Sequence, residues 1–579
     1  MISHRRTHPL RSAFVNVILL GLFLVPRLGV AQNSADWIID LDTSGAGPGA
    51  PLSRALLGHY DLSGELFAYD QEPGLVSRMT AVGFSDWRVG TGRWEASTQL
   101  LPALTNGTPC PIPIPESAAP AGADDLALIA ARDWFTDDGS AVSLADTLDD
   151  SRYDLDYFRS VLDAVGAFGA TPFVSIDNMP RALAVHRLAN RTDCQWTFEN
   201  QVSNVRPANS AIFASAVTGL VERIIEGSGN TPGRIVTHWE VWNEPEFHQF
   251  WDPAFEDLAG PLDRYFEMSI NSLVALDNYR STSSHPNADL LRFGLGSFGT
   301  SGVAAGTLAA FDTAPLPMGF VPLDFISFHG YSDDPLDIVT AIDTVAAAAA
   351  NTANYTDIEL VLAEWGPDLT TSSGDPVYAA SMAPALHIAT VIALGSAVGL
   401  DRAHRAIFWD FYPNSIRLGL LDHDMNVRPA YRAYQLLARM LSDDPTRLSP
   451  TGLSDGRLDA GLGAVLATRS MTGTTRVLLV NRNLVDRSAE VRLYGSPAIP
   501  TRILRYEDPT AAIVEEPGTV SSLVVPAQSL LLLEFDAIPV PTHASQGSFD
   551  LLATVVLALL VLGSIQLLPR LSRRSSVRD

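Results

Sequence analysis

Ile235-Val-Thr-His-Trp-Glu-Val-Trp-Asn-Glu-Pro245 and Ile358-Glu-Leu-Val-Leu-Ala-Glu-Trp-Gly366 decide how this chain is read. Each is a strand-length apolar run that closes on a carboxylate, Glu244 in the first and Glu364 in the second. Each carboxylate has a tryptophan close by. In a (β/α)8 barrel the C-terminal ends of the strands converge on one mouth, so residues far apart in sequence can share a site. Two carboxylates facing each other across that mouth are the minimum apparatus for cleaving a glycosidic bond. Taken singly, either is an ordinary acidic residue at a strand end. The pairing, and Trp-Asn-Glu-Pro around the first, carry the catalytic reading.

Outward from these runs, from about residue 56 to residue 412, short apolar stretches alternate with helical segments. That is the pattern of βα units around a parallel sheet. Candidate strands are 56–60, 87–89, 172–176, 236–242, 291–295, 325–329, 360–364 and 406–411. Eight is the number a closed barrel needs. Helix-like stretches 155–168, 211–226, 265–276 and 384–397 lie between them, and 431–441 closes the series. Residues 105–123, rich in Pro, Gly and Ala, read as a loop near the mouth. After residue 441 the texture changes to short β-rich runs at 464–470, 476–481, 489–494, 501–506 and 530–535. Turn residues separate them, as in an antiparallel sandwich. The expected fold is α/β: a (β/α)8 TIM barrel over residues 32–442 with a C-terminal β-sandwich domain over residues 443–537.

Both ends read as targeting segments. Arg5, Arg6 and Arg11 precede an apolar stretch at 13–26 and the small-residue segment Gly29-Val-Ala31. That is the layout of a secretory signal peptide, residues 1–31. The run is short for an uncleaved bilayer anchor. At the other end, residues 551–568 are mostly apolar and are followed by Arg570, Arg573, Arg574 and Arg578. This fits a short transmembrane helix with a basic cytoplasmic flank, reached through a flexible stalk at 538–550. The arrangement also resembles bacterial C-terminal sorting tails, which are removed after export. A permanent anchor and a cleaved signal both stay open, so the expected location is the cell surface, the membrane or the medium.

Composition removes several classes. The 39 basic residues are all Arg, with no Lys in the chain. That excludes Schiff-base aldolases and pyridoxal enzymes, which need a lysine amine. It also excludes a phosphate loop ending in Gly-Lys-Ser/Thr. A net charge of −26 argues against nucleic acid, whose phosphates demand a basic surface. Cys110 and Cys194 are too few for a disulfide scaffold or a cysteine zinc site. In an oxidising compartment they form one bridge between barrel loops or stay separate thiols. Gly294-Leu-Gly-Ser-Phe-Gly299 matches a dinucleotide fingerprint in letters, but it falls fifth in the strand series rather than opening a first βαβ unit. Asp422-His-Asp424 reads as a polar loop, and no His-Glu-x-x-His motif is present. No metal and no cofactor are expected.

The segments Trp239-Glu-Val-Trp-Asn-Glu-Pro245, Asp324-Phe-Ile-Ser-Phe-His-Gly-Tyr331, Ala363-Glu-Trp-Gly366 and Leu418-Gly-Leu-Leu421 leading to Arg428-Pro-Ala-Tyr431 carry a resemblance. The chain resembles the glycoside hydrolases that place catalytic Glu on strands four and seven of a (β/α)8 barrel (clan A). Among them it looks most like family 39, the β-xylosidases and α-L-iduronidases. The resemblance implies a retaining O-glycosidase with Glu244 as acid/base and Glu364 as nucleophile. It implies that Asn243, His329 and Tyr331 bind substrate, and that Arg88 keeps the nucleophile ionised through its opposite charge. Trp409, on the eighth strand, would be a sugar platform, and His59 a further candidate on the first. The chain departs from the family in two places: no His follows Arg88 on the second strand, and Gly294-Leu-Gly-Ser replaces a usual Gly-Gly-Pro on the fifth. The expected partner is a polysaccharide or oligosaccharide, xylan-derived or a bacterial exopolysaccharide, with the membrane a second partner through the C-terminal helix. The oligomeric state is not legible. The alternative from a different class is a membrane-tethered carbohydrate-binding protein whose chemistry has lapsed; the presence of both Glu argues against it.

Overall fold

A computed structural model of the chain describes residues 35–41, 51–60, 73–91, 134–136, 140–177, 179–184, 206–228, 235–247, 251, 262–313, 320–410 and 417–537. The expected leader, the loop 105–123, both cysteines, the expected stalk and the apolar run 551–568 lie outside the described residues. Among those described, no helix is long and apolar enough to cross a membrane.

Strand β1 (Trp37–Leu41) precedes the barrel. The barrel strands are β2 (Gly58–Tyr60), β3 (Asp86–Gly90), β4 (Thr171–Ile176), β5 (His238–Val241), β6 (Arg292–Phe298), β7 (Phe325–Tyr331), β8 (Glu359–Gly366) and β9 (Arg402–Ala406). They close in chain order. The helices are α1 (Pro73–Ala81), α2 (Asp156–Ala167), α3 (Ser210–Ser228), α4 (Asp263–Thr282), α5 (Ser301–Thr313), α6 (Pro335–Ala350), α7 (Pro376–Ala380), α8 (Ala383–Gly395) and α9 (Pro429–Met440).

Alternation sorts the side chains of each strand to two sides. Trp87 and Val89 on β3, and Trp239 and Val241 on β5, join the apolar shell under the helices. The intervening Arg88 and Glu240 meet each other on the axis. Phe173, Phe325, Val361 and Ala363 fill the lower interior, each fully buried. The barrel is therefore a packed core rather than a pore. Above that layer, toward the C-terminal ends, the interior turns polar.

Seven of the expected strands lie on those observed; the eighth is displaced and shares only Ala406 with its strand. Strand β9 is Arg402-Ala-His-Arg-Ala406, not the apolar 406–411. Its basic residues hid it from an apolar-run reading, but they are matched at the barrel's N-terminal end. There Arg402 pairs with Asp86 at 2.8 Å and with Glu359, and His404 meets Asp86 at 2.9 Å. Trp409 consequently lies beyond the strand, joined to Leu421 by an isolated bridge.

The C-terminal strands are β10 (Thr446–Leu448), β11 (Arg457–Leu458), β12 (Gly463–Arg469), β13 (Thr475–Asn481), β14 (Arg487–Leu493), β15 (Ser496–Pro497), β16 (Arg502–Tyr506), β17 (Val514–Pro517), β18 (Ser522–Val525) and β19 (Ser529–Phe535). They form two sheets. One runs β10-β12-β13-β19-β16-β17 with β11 on β12; the other runs β1-β14-β15 with β18 on β14. Strand β1 lies parallel to β14, from Trp37 opposite Ala489 to Leu41 opposite Leu493. Residues 37–41 therefore belong with the sandwich and not with the barrel range that begins at 32, and the sandwich is not purely antiparallel. Trp37, Ile39 and Leu41 are buried while Ile38 is exposed, an alternating run that needs a sheet to cover one face.

The larger sheet is covered on both sides. Val477, Leu479, Leu531 and Leu533 face the sandwich interior, while Leu478, Val480, Leu530 and Leu532 join the barrel's apolar shell. Strands buried on both faces read as continuous apolar runs, as Val477-Leu-Leu-Val480 and Leu530-Leu-Leu-Leu533 do. Helix α8 is buried from Pro384 to Gly395. It is apolar all round because it lies between layers. Arg439 on α9 fixes the junction by donating to both carboxylate oxygens of Glu534 on β19, at 2.7 and 3.0 Å.

Candidate active site

Simple alternation would not build this site. After inward Val361 and Ala363, a regular β8 would send Glu364 toward the helices and Trp365 to the axis. The pairing slips instead. Against β7, Phe328↔Leu362 is followed by His329↔Glu364; against β9, Leu362↔Ala403 is followed by Trp365↔Arg405. Both neighbours see one extra residue in β8, a bulge that re-aims the side chains beyond it. Glu364 then faces Arg88, and Trp365 packs outward against His387 of α8 with ring centroids 6.2 Å apart. A second slip on β6, between Leu295 and Phe298, turns Ser297 toward His329.

The end of β5 is held in an unusual backbone. Trp242, Glu244 and Ser297 have φ of 81°, 43° and 34°. Such conformations cost on the order of 1–3 kcal/mol each and persist where surrounding bonds over-determine them. The Trp242 N–H donates to Ile176 O at 2.9 Å and the Glu244 N–H to Ser297 O at 3.0 Å. These bonds point Glu244 across the mouth.

Arg88 is the hub. Its Nε and Nη2 donate to Glu240 Oε2 at 3.0 and 2.7 Å, and its Nη1 to Glu364 Oε1 at 2.9 Å. Nη2 also reaches Asn243 Oδ1 at 2.8 Å, and the guanidinium lies 4.6 Å from the Tyr60 ring centroid. A buried charge is tolerable when it is paired and bonded this fully. With Oδ1 held, Asn243 keeps its NH2 group for a ligand. Tyr331 Oη donates to the second oxygen of Glu364 at 3.2 Å. His329 stands between the two glutamates. Its Nδ1 is 2.6 Å from Glu244 Oε1, and its Nε2 is 2.7 Å from Ser297 Oγ and 3.5 Å from Glu364 Oε1. One donor atom from each of Glu244, His329 and Glu364 lies within 4.8 Å of the others. That set could converge on a cation, but both ring nitrogens of His329 are already engaged by protein groups.

Partners separate the two carboxyls. Burial pushes Glu244 up to about 8, with Arg88 pulling the other way. Burial also raises Glu364, but His329 and Arg88 oppose it. Glu364 has direct donors in Arg88 and Tyr331. Glu244 has neither, so it keeps its proton to higher pH. Burial lowers His329 to about 4, so the imidazole is neutral at pH 7.

The structure thus brings Arg88, Asn243, Glu244, His329, Tyr331 and Glu364 together. His59 is elsewhere, with its Nδ1 at 3.2 Å from Arg405 O and its ring 4.8 Å from that of Trp87 in the outer shell. Trp409 is 4% exposed, and its Nε1 donates to His423 O at 3.3 Å. The sequence reading missed Glu240, Ser175, Ser297, Ser327 and Asp177. Glu240 is a lone charge on the inward phase of its strand, a signal that acquires meaning only with Arg88 opposite it; the serines carried no signal at all. Ser327 Oγ bonds Glu240 Oε1 and takes the Ser297 N–H at 2.8 Å.

Comparisons with known proteins bear on this geometry. The family model described as glycosyl hydrolases family 39 matches residues 123–442, more than half of the chain. No curated protein matches. A family 39 β-xylosidase from Caulobacter crescentus superposes with a TM-score of 0.55 at 17% identity, covering 86% of this chain and 99% of its own. A glucosidase from Croceicoccus marinus gives 0.53 at 17%, over 87% and 100%. A family 51 α-L-arabinofuranosidase from Bifidobacterium longum gives 0.52 at 13%, over 87% and 99%. At these identities the superpositions speak to the fold alone. On the strength of the family match, the chain belongs to glycosyl hydrolases family 39 and is a glycosidase.

Proposed function

We propose that this protein is an exported, retaining O-glycoside hydrolase working by double displacement on a polysaccharide or its oligosaccharides. The single observation that carries the mechanism is the facing of Glu244 and Glu364 across the mouth, bridged by His329, with donors on Glu364 only. Glu364 attacks the anomeric carbon while Glu244 protonates the departing oxygen. Water, deprotonated by Glu244, then hydrolyses the glycosyl-enzyme. A protonated Glu244 donates to His329 Nδ1, which leaves Nε2–H directed at Ser297 and Glu364. Asn243 offers its amide to a hydroxyl next to the reacting carbon. A leader at 1–31 and an apolar tail at 551–568 support export and surface attachment. Xylosides and glucosides head the candidate substrates, because similar folds are described as a xylosidase and a glucosidase.

A panel of aryl glycosides and polysaccharides tests the reading, followed by two variants. Glu364→Gly loses nearly all turnover, and azide restores cleavage with a product of inverted configuration, since it attacks from the vacated face. Glu244→Ala keeps its first step on activated aryl glycosides, which need little acid help. Azide there gives a product of retained configuration. Swapped stereochemistry would exchange the two roles.

A further inference from the structure

Two mouth positions on neighbouring strands share one space. Gly90 follows Arg88 by two residues on β3, so it faces the axis one step nearer the mouth. It has no side chain, yet the space is filled. A Cβ on residue 90 would stand 2.2 Å from Asp177 Oδ2 and 2.9 Å from its Cγ and its Oδ1. Gly90 does not have a positive φ, so close approach is what requires glycine there. Asp177 follows β4, two residues past Ser175, whose hydroxyl lies 3.4 Å from Arg88 Nη2. The same alternation points Asp177 inward, above Arg88.

The protein engages this carboxylate through its own backbone N–H. Its Oδ1 is buried with no hydrogen-bond partner among the described residues. Buried acceptors are normally satisfied, and a ligand is one way to satisfy them. Burial pushes the carboxyl up to about 7, with Arg88 pulling it down. Arg88, the cation beside it, is already shared between Glu240 and Glu364.

We propose that Asp177, in the space Gly90 leaves open, is the specificity-determining carboxylate of the pocket: it accepts hydrogen bonds from hydroxyls of a neutral sugar placed over Glu364 and turns away uronic acids. This rests on the glycosidase reading above. A carboxylate takes one or two hydroxyl donors from a sugar edge, and a substrate carboxylate would meet it with the neighbouring cation already matched.

The test uses the full chain and three variants, Asp177→Asn, Asp177→Ala and Gly90→Ala. Values of kcat and KM are measured on the best aryl glycoside of the panel, its monodeoxy analogues and the matching uronide. Circular dichroism and melting curves follow the fold. The wild type should lose about ten- to hundredfold in kcat/KM at one deoxy position. Asp177→Ala should lose a similar factor on the parent and then ignore that deoxy position, to within about twofold. Gly90→Ala displaces the carboxylate without deleting it and should show the same indifference. Asp177→Asn, close in shape, decides the matter should the alanine variant fail to fold. A packing role would weaken all substrates alike, so unchanged deoxy losses in the variants overturn the proposal while leaving the hydrolase reading standing. A uronide preferred by the wild type overturns it as well. If the wild type cleaves no glycoside at all, the hydrolase reading falls, and this proposal with it.

Discussion

At the residue scale, the proposed mechanism rests on giving two glutamates different protons. Glu364 is buried and Glu244 mostly so, and desolvation raises both carboxyls. The difference comes from Arg88 and Tyr331, which donate to Glu364 and not to Glu244. This predicts a pH profile. Because its carboxyl is raised to about 8, Glu244 holds its proton through neutrality and loses it as pH rises through that value. The general acid must be protonated, so kcat/KM falls on the alkaline side with an inflection near pH 8. On the acid side it falls as Glu364 takes up a proton. Glu244→Gln, assayed on an activated aryl glycoside, should lose the alkaline limb and keep the acid one; an unchanged alkaline limb would remove Glu244 from the role of acid. The place of both glutamates at the mouth was legible from motif and strand position. Glu240 was not, because a single charge inside Trp239-Glu-Val241 looks like noise until its partner Arg88 is seen across the axis. The serines that orient His329 and Glu240 could not have been found, since serine at a strand end has many uses.

At the element scale, sequence patterns succeed where one face is apolar and fail where charge or irregularity does the building. Strand β9 was misplaced because Arg402 and His404 are matched by Asp86 and Glu359 at the barrel floor, pairings between distant strands. The bulge in β8 has no marker in Ala363-Glu-Trp, yet it decides that Glu364 and not Trp365 enters the site. Strand β1 was missed because five residues far from their partners give too short a pattern. Its place in the sandwich yields a prediction. Ile39 is fully buried between the sheets, so Ile39→Ala should cost about 2–5 kcal/mol in denaturant unfolding. Turnover of the folded enzyme should not change, because Ile39 is remote from the mouth. A loss below about 0.5 kcal/mol would mean that β1 is not part of the folded core.

At the scale of the whole molecule, the sandwich covers the barrel. Helix α8 lies between them, and Leu478, Val480, Leu530 and Leu532 complete the apolar shell. Cutting the chain after residue 537 removes only the segment proposed above for surface attachment, so the truncated protein should be soluble without detergent and keep the kcat/KM of the longer form. Cutting after residue 442 should not be tolerated, since it exposes α8; a stable, active barrel from that cut would show that the sheet is dispensable. The measurement that tests the central claim most directly also reads the whole chain. A 2-deoxy-2-fluoro analogue of the best aryl glycoside slows both steps and lets a covalent glycosyl-enzyme accumulate. Intact mass should rise by one fluoroglycosyl group, and peptide mapping should place it on Glu364. A label on Glu244 or any other residue, or no label on an enzyme that cleaves the parent glycoside, would contradict the account.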